Sequence, residues 1–288
     1  MKIIEGKKQY DLDLPPIGAD KIFTTYDKVT KNYIPADHIK NTPFWTTHFS
    51  LAICGSAGSG KTSTLCSLVC SMKPESRVYA QCFDKIILNI PPASLRTLKN
   101  KPFDELPDEQ IYPEFNEGFI DDFTERMKEN ADEEKPKDFL LIIDDAVTRL
   151  RGNKRVSDKF LDLLNCRRHL KFSVILLCQD IIQLSLPMRN SLNGLIVFRQ
   201  PNMKRLDLIN EEYLSLSSQD YKKLIDFVWR KKGDSLMVRM DGGLLSFFRN
   251  FTPLNFYCGC PEGKKRCNLP VDDKNVNVSK DGESESKC

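Results

Sequence analysis

The sequence predicts an α/β fold with a mainly parallel central sheet flanked by helices and a β-hairpin toward its C-terminal end. Three observations carry this. Apolar runs without alternation (Leu51 to Cys54, Phe139 to Ile143, Phe172 to Cys178) read as strands buried on both faces, the habit of parallel sheets. Segments with apolar residues at helical spacing stand between them, as in crossover connections. Near the end, Asp241-Gly242-Gly243 separates two strand-like runs, Ser235 to Met240 and Leu244 to Phe248, which is a strong hairpin signal.

Taken in order, residues 1–43 carry scattered prolines and no sustained periodicity, so they read as an N-terminal arm packed on the domain or on a neighbour. Phe44 and Trp45 precede the first strand; they could stack on a base, but hydrophobic packing is the simpler role. A helix follows from Lys61 to Met72, closed by Pro74, then a strand at Lys85 to Ile90 halted by Pro91-Pro92. Residues 91–116 are loop-rich, with a short helix near Ser94 to Lys99. Phe119, Ile120, Phe123 and Met127 give Glu117 to Glu134 an apolar stripe among acids, an amphipathic helix. Beyond the strand at 139–143, Val156, Phe160, Leu163 and Leu164 make Lys154 to Cys166 helical. The strand at 172–178 is followed by a turn or helix opening at Leu186 and a strand at Leu195 to Phe198. One or two helices occupy 203–232 ahead of the hairpin. Residues 44–251 therefore form one domain, and 252–288 a polar, cysteine-containing tail, disordered from about Asp272.

At 288 residues the chain can bury a full core, and 40% hydrophobic with 29% charged residues is ordinary for a soluble globular protein. No run approaches the ~18 apolar residues of a membrane span. The first residues, MKIIEGKKQYDLDL, are too charged for a signal peptide, which favours an intracellular location. A net charge of +3 does not by itself argue for nucleic acid. Of ten cysteines, six lie in or beside apolar runs as small hydrophobes; Cys258, Cys260, Cys267 and Cys288 lie in the tail. Cys258, Cys260 and Cys267 could hold zinc, but the paired C-x-x-C spacing of robust zinc sites is absent.

The chemistry gathers at the first strand. Its apolar run flows into Gly55-Ser56-Ala57-Gly58-Ser59-Gly60-Lys61-Thr62-Ser63 and then into a helix, matching G-x-x-x-x-G-K-[ST] in the context that pattern requires. Glycines let successive N–H groups turn inward on phosphate oxygens, and the helix adds its positive end. Gly55 to Ser63 thus read as the binding loop for ATP, with Lys61 on the β- and γ-phosphates and the Thr62 hydroxyl on Mg²⁺. The expected fold is a P-loop NTPase, one that resembles the RecA/FtsK-like kind. A second strand ends in Asp144-Asp145, two carboxylates too costly to bury idle. Asp144 is placed for the Mg²⁺ shell, and Asp145 to orient or deprotonate the water that attacks the γ-phosphate. Gln179 ends another strand at the edge where α/β sheets bind ligands; it could hold that water or sense the γ-phosphate, or simply tie loops together.

With GSAGSGKT, LLIIDDA, CRRHLKFSVILLCQ and LPMRN in this order, the chain resembles the DNA-packaging ATPases of large DNA viruses and virophages, poxvirus-like members of the FtsK/HerA group. The likeness runs from about Thr47 to Pro201. It implies Lys61 and Thr62 as phosphate and Mg²⁺ residues, Asp144 and Asp145 as the Walker B pair, Gln179 as polar sensor, and Arg168 as an arginine finger reaching a neighbour's nucleotide, with Arg167 and Arg189 as fallbacks. Many P-loop motors carry Glu where Asp145 stands. The resemblance further implies a homo-oligomeric ring, a capsid or portal partner, and a place in the viral factory of the host cytoplasm and in the virion. It gives the basic clusters a role on double-stranded DNA: Arg149, Arg151, Lys154 and Arg155 above all, then Lys204-Arg205 and Arg230-Lys231-Lys232. The expected function is ATP-driven translocation of viral DNA into the capsid; the alternatives are a P-loop kinase acting on a small acceptor and a nucleotide-gated assembly switch.

Overall fold

In a computed structural model the described residues are 2–7, 43–46, 48–71, 77–92, 94, 103–104, 106–145, 150, 152–200, 202–241 and 244–257. They build one ten-stranded sheet with helices on its faces. The strands are β1 Lys2–Glu5, β2 Ser50–Cys54, β3 Lys85–Asn89, β4 Ile111–Tyr112, β5 Phe139–Asp144, β6 Phe172–Cys178, β7 Gly194–Phe198, β8 Ser235–Asp241, β9 Leu244–Arg249 and β10 Thr252–Tyr257. The helices are α1 Lys61–Cys70, α2 Glu117–Asp132, α3 Lys154–Cys166, α4 Leu186–Asn190, α5 Met203–Ile209, which runs into a π-helical turn at Asn210–Leu214, and α6 Ser218–Val228.

Across the sheet the order is β1-β10-β9-β8-β7-β2-β6-β5-β3-β4. From β7 to β4 all pairings are parallel; from β7 back to β1 all are antiparallel. The parallel half is buried on both sides because its strands are apolar at most positions, with Ser50, Lys85, Asn89, Asp144 and Ser173 the polar exceptions among β2, β3, β5 and β6. Ala52, Leu141, Ile143, Val174 and Leu176 meet Phe119, Phe123, Phe160 and Leu164 on one face. Leu51, Ile53, Leu140, Ile142, Ile175 and Leu177 meet Leu65, Leu68 and Val69 on the other. Each such side chain contributes roughly 1.5–3 kcal/mol on burial, so this sandwich is the main source of stability.

Helix starts follow their caps. The Asn116 side chain accepts from the Phe119 N–H at 2.9 Å to begin α2, and Asn153 accepts from Val156 to begin α3. Phe44 and Trp45 are core residues, as packing predicts. The six-membered ring of Trp45 packs against Gly194, where a Cβ would meet it at 1.9 Å, so only glycine fits at the start of β7.

The sheet extends past the limits read from sequence. β10 occupies residues assigned to the tail, and β1 belongs to the arm, its four residues pairing from Lys2↔Tyr257 to Glu5↔Leu254. The arm from 8 to 42, the tail from 258 on, with all four of its cysteines, and all but the first residue of the helix expected near Ser94 to Lys99 lie outside the described residues.

Candidate functional site

The parallel order puts the carboxyl ends of β2, β5, β6 and β7 on one edge, and the expected phosphate-site residues follow those ends. The loop after β2 begins buried at Gly55, whose N–H donates to the Cys178 carbonyl of β6 at 3.1 Å. A Cβ on Gly55 would meet Ser59 Oγ at 2.4 Å and Phe198 Cβ at 2.9 Å. Gly58 and Gly60 take φ of 70° and 118°, conformations that L side chains rarely adopt. Ala57 and Gly58 are exposed at the crest, while Ser56, Ser59, Thr62 and Ser63 are half-buried. Lys61 opens α1 and is buried, its Nζ donating to the carbonyls of Gly55 at 2.6 Å and Ser56 at 3.2 Å. The ammonium therefore sits within the curl of its own loop.

Asp144 ends β5, opposite Leu177 of β6. It is 7% exposed, and burial, with the Asp145 charge beside it, raises its carboxyl from 3.8 to about 6, against the opposing pull of Lys61. The field of Lys61 at Asp144 places the loop lysine and the first acid in one site. Asp145 holds φ of 53°, a left-handed conformation in which Asp is among the few non-glycine residues enriched. That gives a physical reason for the shorter acid at a position where many motors carry Glu.

Beside the loop lies a cavity of about 360 Å³ lined by Ser56, Ala57, Gly58, Ser59, Phe198, Arg199, Gln200, Lys232 and Gly233. Gln179, exposed after β6, is held at its backbone: Gln183 Oε1 accepts from its N–H at 3.1 Å, and its carbonyl accepts from Gln200 Nε2 at 3.2 Å. Arg199, Gln200 and Lys232 at this cavity were not singled out from sequence as nucleotide-site residues. Gln200 could have been, since it follows a buried strand just as Gln179 does.

The three arginines of the finger question separate clearly. Arg167 is buried and donates to the carbonyls of His48 at 3.0 Å and Leu164 at 2.8 Å and to Asn193 Oδ1 at 2.7 Å. Burial and the charge of Arg168 lower its pKa. Arg189 is 9% exposed and forms a two-pronged ion pair with Glu212. Both fallbacks are committed to structure. Arg168 is exposed, just before β6 and hence at the opposite edge of the sheet from the phosphate loop.

Of the basic clusters, Arg149 and Arg151 lie outside the described residues. Lys154 is exposed at the start of α3, whereas Arg155 pairs with Glu117 at 2.9 Å while still 75% exposed. Arg205 pairs with Asp180 at 2.7 Å, Arg230 stacks over Phe227 at 4.4 Å, and Lys232 belongs to the cavity wall.

A glycine loop that turns its backbone on a lysine, beside a buried acid at the carboxyl edge of a parallel sheet, defines a P-loop nucleoside-triphosphatase. Comparison with known proteins narrows the class. The family model for the Poxvirus A32 protein matches residues 114–235, a span holding Asp144, Asp145, Arg168, Gln179 and the LPMRN segment, which bears out the resemblance to viral DNA-packaging ATPases. B204, the DNA-packaging ATPase of Sulfolobus Turreted Icosahedral Virus, shares the fold at a TM-score of 0.51 and 17% identity, over 70% of this chain and 98% of that one. B204 of Sulfolobus turreted icosahedral virus 2, in complex with ATP-gammaS, aligns at a TM-score of 0.46 and 16% identity, over 69% and 96%. EssC (ATPases 2 and 3) from Geobacillus thermodenitrificans aligns at 0.47 and 17%, over 70% and 40%. Comparison with curated protein sequences gives no match.

Proposed function

We propose that this chain is an ATP-hydrolysing motor that moves double-stranded DNA into a viral capsid. The observation that carries the reading is the pairing of a complete phosphate loop with a buried acid in the field of its lysine, in a chain whose residues 114–235 match the family model for the Poxvirus A32 protein. Loop N–H groups and Lys61 would bind the triphosphate. The residues fit Mg²⁺ as well: Thr62 is the second residue of α1 with a hydroxyl to offer, and Asp144 is a buried acid beside a second carboxylate, Asp145. Among the described residues no cluster of three or more His, Cys, Asp or Glu could hold a metal alone, consistent with an ion that takes most of its ligands from phosphate and water. Bound Mg²⁺ supplies charge neutralisation at the phosphates. Asp145 would orient the attacking water, and an arginine from a neighbouring subunit, Arg168 in our reading, would neutralise charge on the transferring group.

Arg168 at the far edge supports assembly into a homo-oligomeric ring that grips DNA phosphates through basic loops, with Lys154 and Arg155 the exposed described members of the first cluster. Among the described residues no helix is long and apolar enough to cross a membrane; the viral factory and the virion are the proposed locations. The test is steady-state ATP hydrolysis with and without long double-stranded DNA, beside Lys61→Ala. Hydrolysis that DNA stimulates and the variant loses is the expected result; hydrolysis indifferent to DNA would remove the motor.

A further inference from the structure

We propose that Gln200 is a specificity-determining residue whose Oε1 accepts a hydrogen bond from the nucleoside half of the bound nucleotide, from a ribose hydroxyl or a base amino group. The inference rests on the ATP reading of the loop and deepens it.

Four observations carry it. Gln200 follows β7, is 4% exposed, and lines the cavity that the phosphate loop also lines. Its amide orientation is set by chemistry: the group facing it is the Gln179 carbonyl, an acceptor only, so the NH₂ must point there, at 3.2 Å, and the oxygen must point elsewhere. That oxygen, Oε1, has no hydrogen-bond partner among the described residues. A buried acceptor left unsatisfied is unfavourable, and such groups in folded proteins are met by a protein donor, a water or a ligand.

The sheet order says which part of a nucleotide comes near. β7 lies on one side of β2, whereas β6 and β5 lie on the other. Lys61 and Asp144, the phosphate-end residues, share a field toward β5. A nucleotide with its γ-phosphate at that end therefore extends its sugar and base along the loop toward Phe198, Arg199 and Gln200. At neutral pH the phosphates offer acceptors only, so the donors that could satisfy Oε1 are hydroxyls of the ribose and amino groups of the base. Arg199 and Lys232, on the same wall, supply positive charge where the nucleoside joins the phosphates. Because Nε2 of the same side chain holds the backbone of Gln179, filling the nucleoside end also braces the residue expected to sense the γ-phosphate.

The test is a set of dissociation constants, by titration calorimetry, for ATP, 2′-deoxy-ATP, 3′-deoxy-ATP, inosine triphosphate and inorganic tripolyphosphate on the full chain and on Gln200→Met. The wild type should bind one of the three analogues roughly tenfold more weakly than ATP, as loss of a hydrogen bond to a buried acceptor predicts. A deoxy analogue would identify the sugar and the inosine nucleotide the base. In Gln200→Met that discrimination should vanish while tripolyphosphate binding stays within about twofold, by the same accounting. Equal binding of ATP and all three analogues by the wild type overturns the proposal without any variant, and leaves the ATPase reading intact. A variant that loses tripolyphosphate as much as ATP also overturns it, since Gln200 would then act on the loop. Failure of the wild type to bind either ATP or tripolyphosphate would sink the ATPase reading itself, and the Gln200 proposal with it.

Discussion

At the residue scale the acid at the end of β5 is poised by conflict. Water is excluded from Asp144 and a second carboxylate follows it, so its proton is held up to about 6 where an ordinary aspartate has 3.8. A folded-state pKa raised in this way adds stability that is fully present below about pH 3.8 and is lost as pH rises through about 6. Above that, the ionised carboxylate is a debit on the nucleotide-free fold, on the order of 1–3 kcal/mol for a displacement of this size. Asp144→Asn removes the ionisation and keeps the shape. Its stability advantage over wild type in denaturant titrations without nucleotide should open between about pH 4 and 6 and stay level above, while ATP hydrolysis is lost at every pH. A flat difference across that range would show that the carboxylate is not strained by burial. The site thus trades stability for a cation-ready charge.

At the element scale, what was legible depended on whether an element announces itself locally. β2 with its loop, β5, α3 and β6 could be read nearly to the residue, because each is an unbroken apolar run or a regular stripe ending at a polar mark. β10 and β1 could not. The turn between β9 and β10 is Asn250-Phe251 with φ of 47° and 67°, a left-handed pair where Asn-Gly would have been the readable spelling. Tertiary contacts hold it: Phe251 packs on Phe44 with ring centroids 5.2 Å apart, and Asn250 donates to Asp234 Oδ1 at 2.7 Å. β1 joins across almost the whole chain through backbone pairing and the Arg249–Glu5 ion pair at 2.7 Å, which no local pattern encodes. Gln200 escaped for the opposite reason, because its meaning lies in a side-chain oxygen that no local pattern marks as lacking a partner among the described residues. Asp234 is the clasp of this half of the sheet. It is 1% exposed and takes hydrogen bonds from Asn250, from Arg249 at 3.1 Å, and from the N–H groups of Arg230 and Lys231. Asp234→Ala would take one of two carboxylates from Arg249, which keeps Glu5 and the Val228 carbonyl, and would release the Asn250 turn, and should cost about 2 kcal/mol in urea unfolding, as loss of hydrogen bonds to a buried charge does. A loss under about 1 kcal/mol would mean that β1 and β10 are held by the ladder alone.

At the scale of the whole molecule, the sheet sets a distance that one subunit cannot close by itself. Arg168 precedes β6 and the phosphate loop begins beside that strand's far end, so the strand's seven residues, at roughly 3.3 Å each, separate the arginine from its own site. With Arg167 and Arg189 locked in structural bonds, Arg168 is the candidate of the three that is exposed, and it stands at the end of β6 opposite the loop of its own chain. If it acts, it acts on a neighbour. Arg168→Ala should then bind ATP like wild type but hydrolyse it about 10³-fold or more slowly, the scale of an arginine finger. The decisive experiment mixes Arg168→Ala with Lys61→Ala. Each is inactive alone, yet a ring containing both creates interfaces where an intact loop from the first meets an intact arginine from the second. Hydrolysis that reappears on mixing, and scales with the fraction of such interfaces, would establish a shared site. Inert mixtures that nevertheless assemble would show that Arg168 serves some other purpose and that the finger lies elsewhere in the chain.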